Sequence, residues 1–238
     1  HLETFVNNRD WPSNNLKKWR SNNPKTPWKW FVYDTDFGFG NSFSEFSNNI
    51  FEFATNDEGD PSGWPNGPNS TLLLRRLLEN QKFRSAFVNR MMTLLSTNFS
   101  SARTVARINT LMSAIASEIP KDQKRWKLNA SRMERELEKM ISFAETRPKI
   151  ITAELREFFD LEEETKVNLS VIGKGDILIH GLPVGQYPVD VNFFKGLKVE
   201  ISAAPRNGYM WAGWSDGVQE QNRVISPSEI TSITAVFK

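Results

Sequence analysis

Apolar positions along the chain change period twice. From residue 71 to 161 they recur every three or four residues, the spacing that lines one face of a helix. Phe83, Phe87, Met91, Leu94 and Leu95 make one such face. Val105, Ile108, Met112, Ile115 and Ile119 make a second, with Ser100 or Ser101 placed to cap its start and Pro120 to end it. Met133, Leu137, Met140, Ile141 and Ala144 make a third. Pro148 then predicts the start of a last helix, with Ile151, Leu155, Phe158 and Phe159 facing inward. Ordinary core packing accounts for all these stripes.

After residue 166 the period falls to two. Val167–Val171 and Lys198–Ser202 alternate cleanly, and Ile177–Ile179, Tyr209–Trp214 and Ser232–Phe237 add further short strands. Glycines separate them, which predicts a small sandwich or barrel. The run Glu162-Glu163-Glu164 just before this region reads as a hinge. The first 70 residues match neither period. They are rich in Asn, Trp, Phe, Gly and Pro. Trp28–Tyr33 reads there as a strand and residues 56–69 as a long loop dense in turn residues. The expected fold class is therefore α+β and multidomain. Residues 1–161 form a mainly helical domain and residues 166–238 a small all-β, sandwich-like one.

Composition narrows the chemistry. The 238 residues include no cysteine and two histidines, His1 and His180. Disulfides, thiolate metal sites and cysteine nucleophiles are excluded, and a catalytic triad or a His-rich zinc site has almost nothing to rest on. The formal net charge is +2. That argues against a phosphate-backbone binder, so no nucleic-acid partner is expected. The longest purely apolar run is Leu72–Leu74, far short of a membrane span. The chain opens without an initiator Met or signal-like segment, which reads as the start of an excised piece of a longer protein.

Two segments carry candidate chemistry. One is Asn8-Arg9-Asp10-Trp11-Pro12-Ser13-Asn14-Asn15; the other is Asp34-Thr35-Asp36-Phe37-Gly38-Phe39-Gly40. Arg9-Asp10 with Asn15 five residues on, followed after a strand by Asp36-Phe37-Gly38, has the order and spacing of a kinase catalytic loop and metal-binding turn. Phosphoryl transfer needs little covalent help but much charge neutralisation. Carboxylate and amide oxygens suit Mg²⁺, and a further Asp can take the proton of the attacking hydroxyl. A plainer reading stands beside this one: Asp10 caps a helix starting near Pro12, and Asp34 and Asp36 are turn residues.

The wider wording of these segments, from Asn8 to Arg20 and from Trp28 to Gly40, resembles the spore coat protein H kinase-like family. Leu77–Leu95 and the stretch from Arg147-Pro148 to Phe158-Phe159-Asp160-Leu161 resemble it too. The resemblance covers about residues 1–161 and implies the C-terminal lobe of an atypical protein kinase. It implies Mg²⁺- and ATP-dependent phosphorylation of a secreted or surface protein. Asp10 then takes the catalytic-loop role and Arg9 holds the loop's geometry. Asn15 or Asn14 supports the nucleotide and metal. Asp36 is the metal ligand, with Asp34 the competing assignment. The family's upstream lobe, with its sheet and phosphate-binding lysine, does not precede Asp10 in this chain. The piece is therefore expected to be inactive alone and to need that lobe as a partner, while its own folding requires no cofactor.

The segment Asn207–Gly217 resembles small β modules repeated in bacterial surface proteins, related to internalin-type repeats. Trp211 and Trp214 are expected to plug its core; exposed, they would instead contact a glycan or a protein. His180, in a turn before Gly181, reads as a lone surface histidine. This module points to a secreted or bacterial cell-surface location. The alternative function is a non-catalytic surface, adhesion or carbohydrate-binding protein that uses the fold as a scaffold.

Overall fold

The computed structural model describes residues 1–41, 49–64 and 66–238. Pro65, part of the loop expected over 56–69, lies outside the described residues. The helices are α1 (Leu2–Phe5), α2 (Ile50–Thr55), α3 (Pro68–Glu79), α4 (Gln81–Ser96), α5 (Ser101–Ile115), α6 (Ile119–Trp126) and α7 (Ala130–Phe159). The strands are β1 (Lys17–Trp19), β2 (Lys29–Phe31), β3 (Glu164–Ile172), β4 (Gly175–Ile179), β5 (Leu182–Pro183), β6 (Val189–Phe194), β7 (Val199–Pro205), β8 (Trp211–Trp214), β9 (Asn222–Ile225) and β10 (Ser232–Phe237). The fold is α+β. Its residues group into two compact units: 1–77 with 104–154, and 78–103 with 155–238.

The first unit is built on α2, most of α7 and the N-terminal segment. Phe5, Val6, Ile50, Phe51, Phe143, Ala144 and Ile151 are almost wholly buried in it. Phe143 packs edge-on to Phe5 and lies 5.5 Å from the Phe39 ring. Asn49 caps α2 by accepting the Phe51 N–H, and Thr55 closes its last turn on the Phe51 carbonyl. The strand expected over 28–33 is shorter, Lys29–Phe31. It pairs antiparallel with β1 in a two-stranded ribbon, Lys18 opposite Trp30.

Two helix boundaries differ from expectation. Pro148 does not open a new helix; it lies inside the 30-residue α7. Phe143, Ala144, Ile151 and Leu155 form one fully buried stripe that runs through the proline. Burial along the whole face outweighs the single ladder hydrogen bond that a proline removes. Pro120, expected to end a helix, instead sits in the first turn of α6, where its missing N–H has no intrahelical partner to lose. The preceding helix stops at Ile115, and of its apolar face only Ile108 is buried; Leu111 and Ile115 are about half exposed.

The second unit is a sandwich with α4 packed on it. One sheet has the order β6-β3-β10-β8, the other β5-β4-β7-β9. β3 and β10 run parallel; the other pairs are antiparallel. Val167, Leu169, Val191, Phe193, Ile233, Ala235 and Phe237 from one sheet meet Ile177, Ile179, Val199, Ile201 and Ile225 from the other. These are alternate positions on each strand, as a two-layer core requires. Gly173 takes a φ of +83° at a point where any side chain would run into Phe237. Trp214 is buried, and its indole N–H donates to the Glu220 carbonyl. Trp211 is half-buried and packs edge-on to both Trp214 and Phe237. Both indoles therefore serve the core. The Glu162–Glu164 run is not a spacer: Glu164 opens β3, and Glu163 pairs with Lys195.

His180 is not a surface residue. Its side chain is only 8% exposed and is enclosed by α4 and β7. Nε2 accepts from Asn89 Nδ2 at 3.0 Å and from the Glu200 N–H at 3.3 Å, which assigns the proton to Nδ1, 3.5 Å from Glu200 Oε2. Arg90 donates to the His180 carbonyl, and Asn89 also donates to the Lys198 carbonyl.

Candidate active site

The site begins where α1 ends. Asn7, at φ 57°, turns the chain out of the helix; Asn is one of the few side-chain-bearing residues that adopts this conformation readily. Asn8 is buried. It donates to Glu3 Oε2 at 2.8 Å, and its Oδ1 accepts the Asp10 N–H at 3.1 Å. The Asp10 carbonyl accepts the Asn14 N–H at 2.7 Å and the Ser13 hydroxyl at 3.3 Å, closing a tight loop. The Asp10 carboxylate, half-buried, faces Asn15.

Asn15 joins the two segments. Its Nδ2 donates to Asp10 Oδ2 at 3.2 Å and to the Asp34 carbonyl at 3.1 Å. β1 and β2 lie between Asn15 and Asp34, so this amide closes the base of the ribbon. Asp34 itself sits at φ 55°. The charge of Asp36, with smaller contributions from desolvation, a shared hydrogen bond and the charge of Asp10, holds the Asp34 carboxyl above the usual carboxylate range. Asp34 and Asp36 are both exposed.

The turn after them is seated on the first segment. Gly38 N–H donates to the Thr35 carbonyl at 3.0 Å, and Phe39 N–H to the Val6 carbonyl at 2.9 Å. A Cβ on Gly38 would stand 3.0 Å from Val6 Cγ2 and the Val6 carbonyl, so glycine lets the two backbones meet. Asn41 donates to the Asp36 carbonyl at 2.8 Å.

Asp10, Asn15, Asp34 and Asp36 thus come together. Arg9 and Asn14 do not join them. Arg9 is 8% exposed, with its guanidinium 4.6 Å from the centre of the Phe53 ring. Asn14 is exposed and reaches Asp10 through its backbone N–H. Sequence reasoning overlooked Arg147 and Glu154, a buried pair packed on α1. A sign of them existed: both fall on the apolar face of α7, where a charged side chain needs a partner.

Among the described residues no group of three or more His, Cys, Asp and Glu side chains is arranged to cage a metal ion. The donor set is smaller: the two adjacent, exposed carboxylates of Asp34 and Asp36, with Asp10 held by Asn15 beside them. That set fits Mg²⁺, which keeps several waters and is bound through one or two carboxylates plus substrate phosphates. The repulsion that raises Asp34 is the kind a divalent cation relieves.

A loop aspartate, an asparagine five residues on, and a pair of aspartates beyond a ribbon define a kinase-like arrangement. The family model described as CotH kinase protein matches residues 2–151, more than half of the chain. The chain belongs to the CotH kinase protein family. No curated protein and no solved structure matches it. Among the described residues no helix is long and apolar enough to cross a membrane.

Proposed function

We propose that this chain carries the catalytic loop and metal-binding turn of an ATP-dependent protein kinase. The observation that carries the reading is Asn15, which ties the Asp10 carboxylate to the backbone of Asp34 and so sets the Asp34–Asp36 pair beside the loop. Mg²⁺, when bound, supplies neutralisation of phosphate charge. Asp34 and Asp36 hold it. Asn15 orients Asp10 and keeps the two segments in register. Asp10 accepts the proton of the attacking hydroxyl. Arg9, stacked on Phe53, fixes the backbone from which Asp10 projects.

The acceptor is a secreted or cell-surface protein, and an upstream lobe of the same protein clamps the nucleotide. The all-β unit makes contacts at that surface. Nucleic acid has no part in this reading. Calorimetric titration with Mn²⁺, alone and with ATP, tests it. The wild-type chain binds Mn²⁺, and Asp34→Asn weakens that binding at least tenfold. Joined to a nucleotide-clamping lobe, the chain transfers label from radiolabelled ATP, and Asp10→Asn abolishes the transfer. Equal Mn²⁺ binding by wild type and Asp34→Asn would remove the metal site from the reading.

A further inference from the structure

The loop that presents Asp10 is closed by its own hydrogen bonds, but the turn that leads into it is not. Asn7, its turning residue, is fully buried, and neither side-chain atom has a hydrogen-bond partner among the described residues. A buried amide left unpaired costs stability and gives the turn no rigidity. The short helix before it, α1, has four residues and no side-chain cap. A single isolated turn of helix is unstable by itself. A further anchor of this segment comes from 142 and 143 positions away in the chain.

Arg147 is 1% exposed. Its Nε donates to the Phe5 carbonyl at 2.9 Å, and its Nη2 donates to the Thr4 carbonyl at 2.8 Å. These are carbonyls of the last turn of α1, where helix carbonyls are drawn to positive charge; the Thr4 carbonyl also accepts the Asn7 N–H at 3.3 Å. Glu154, seven residues on along α7, takes Nη1 at 3.3 Å on Oε1, with Nη2 3.1 Å from Oε2. Glu154 thereby fixes the guanidinium plane. The Glu154 carbonyl also accepts Asn49 Nδ2 at 3.4 Å, tying the same turn of α7 to the cap of α2. The next residue after the pinned pair is Val6, whose carbonyl receives the Phe39 N–H of the metal-binding turn. One guanidinium therefore sets the position from which both candidate segments depart.

We propose that Arg147, oriented by Glu154, is the positioning residue of the site: it places the Asp10 loop and the Asp34–Asp36 turn relative to each other. Its consequence for metal binding rests on the function proposed above; its hold on the loop does not. A planar, forked donor suits the site, because Nε and Nη2 meet the two carbonyls while Nη1 meets Glu154, an arrangement the point charge of a lysine does not hold in one fixed plane.

The test separates support of the loop from support of the fold. Removing Arg147 alone would strand a buried carboxylate, so the informative variant is the double substitution Arg147→Met/Glu154→Leu. It removes the charges together and keeps the volume apolar. Arg147→Lys is the second variant. Hydrogen exchange is read on peptides covering residues 3–16 and on the strands of the second unit, and Mn²⁺ affinity is measured by calorimetry. In the double variant, exchange of residues 5–10 rises at least tenfold while the strands are unchanged. Mn²⁺ affinity falls about tenfold to a hundredfold, as for the loss of a residue that orients ligands. Arg147→Lys lies between the two. Unchanged exchange in residues 5–10 would overturn the proposal, and so would faster exchange with wild-type Mn²⁺ affinity. A wild-type chain that binds no Mn²⁺ would sink the metal reading, while the exchange data would still decide the role of Arg147.

Discussion

Asp34 and Asp36 are two residues apart and share a hydrogen bond. Asp34 titrates above the usual range chiefly because Asp36 is charged beside it. Replacing Asp36 with Asn removes that charge. The Asp34 carboxyl then titrates at lower pH, as seen by carbon-detected NMR of its side chain. An unmoved midpoint would mean that the two carboxylates do not face each other. The sign extends to metal binding in the wild type. Protons and the cation compete for Asp34, so Mn²⁺ affinity falls as the solution is acidified through the raised pKa. Both aspartates were recognisable from their spacing. What spacing could not show is that Asn15 bridges the two segments while Asn14 turns away, since that depends on which of two neighbouring amides faces inward.

At the scale of elements, α4 and the sheet β5-β4-β7-β9 are joined by His180. Burial lowers its pKa, more strongly than Glu200 raises it. The neutral ring accepts from Asn89 and from the Glu200 N–H through one nitrogen, and protonation would replace both acceptances with repulsion. The unfolded chain, with an ordinary histidine near 6.5, takes up the proton first. This contribution to stability is therefore complete above about pH 6.5 and is lost as pH falls towards the lowered folded-state pKa. Thermal melts of the wild type should lose stability across that window. In His180→Gln the added acid sensitivity disappears, and melting curves that stay parallel for both proteins would contradict the assignment. The periodic signal located α4 through Phe87, Met91 and Leu95 but was silent about His180. A lone histidine before a glycine looks like a turn residue until the helix that covers it is known. Pro148 makes the same point differently. Proline ordinarily marks a helix boundary, yet here the buried face on both sides of it keeps α7 continuous.

At the scale of the molecule, the compact units do not follow a single cut in the chain. Residues 78–103 lie within the stretch matched by the family, 2–151, yet they group with the strands beyond residue 155. α4 packs against β4, β6 and β7. Asn192 N–H reaches Ser96, and Arg103 reaches Gln186. A chain ending at residue 163 would remove the strands against which α4 packs. We expect that truncation to bind a hydrophobic dye and to aggregate in gel filtration, while the full chain stays monodisperse. A soluble 1–163 protein with native helix content and no dye binding would show that α4 does not need the sheets.

By itself the sequence determined the classes of element, the α+β character, the alternating cores of β3, β4 and β7, and the residue types available for chemistry. Those are properties of local period and composition, and they survive without knowledge of what packs where. The tertiary structure alone decided the rest. It joined α4 to the sheets, carried α7 through Pro148, buried His180, and brought Arg147 and Glu154 onto α1. The burial of His180 and the seating of Arg147 depend on contacts between residues 20 to 143 positions apart, for which neither periodicity nor spacing carries a signal. The same holds for the site. Its aspartates could be read from the chain, but their convergence is set by one asparagine and by a buried arginine that no local pattern connects to them.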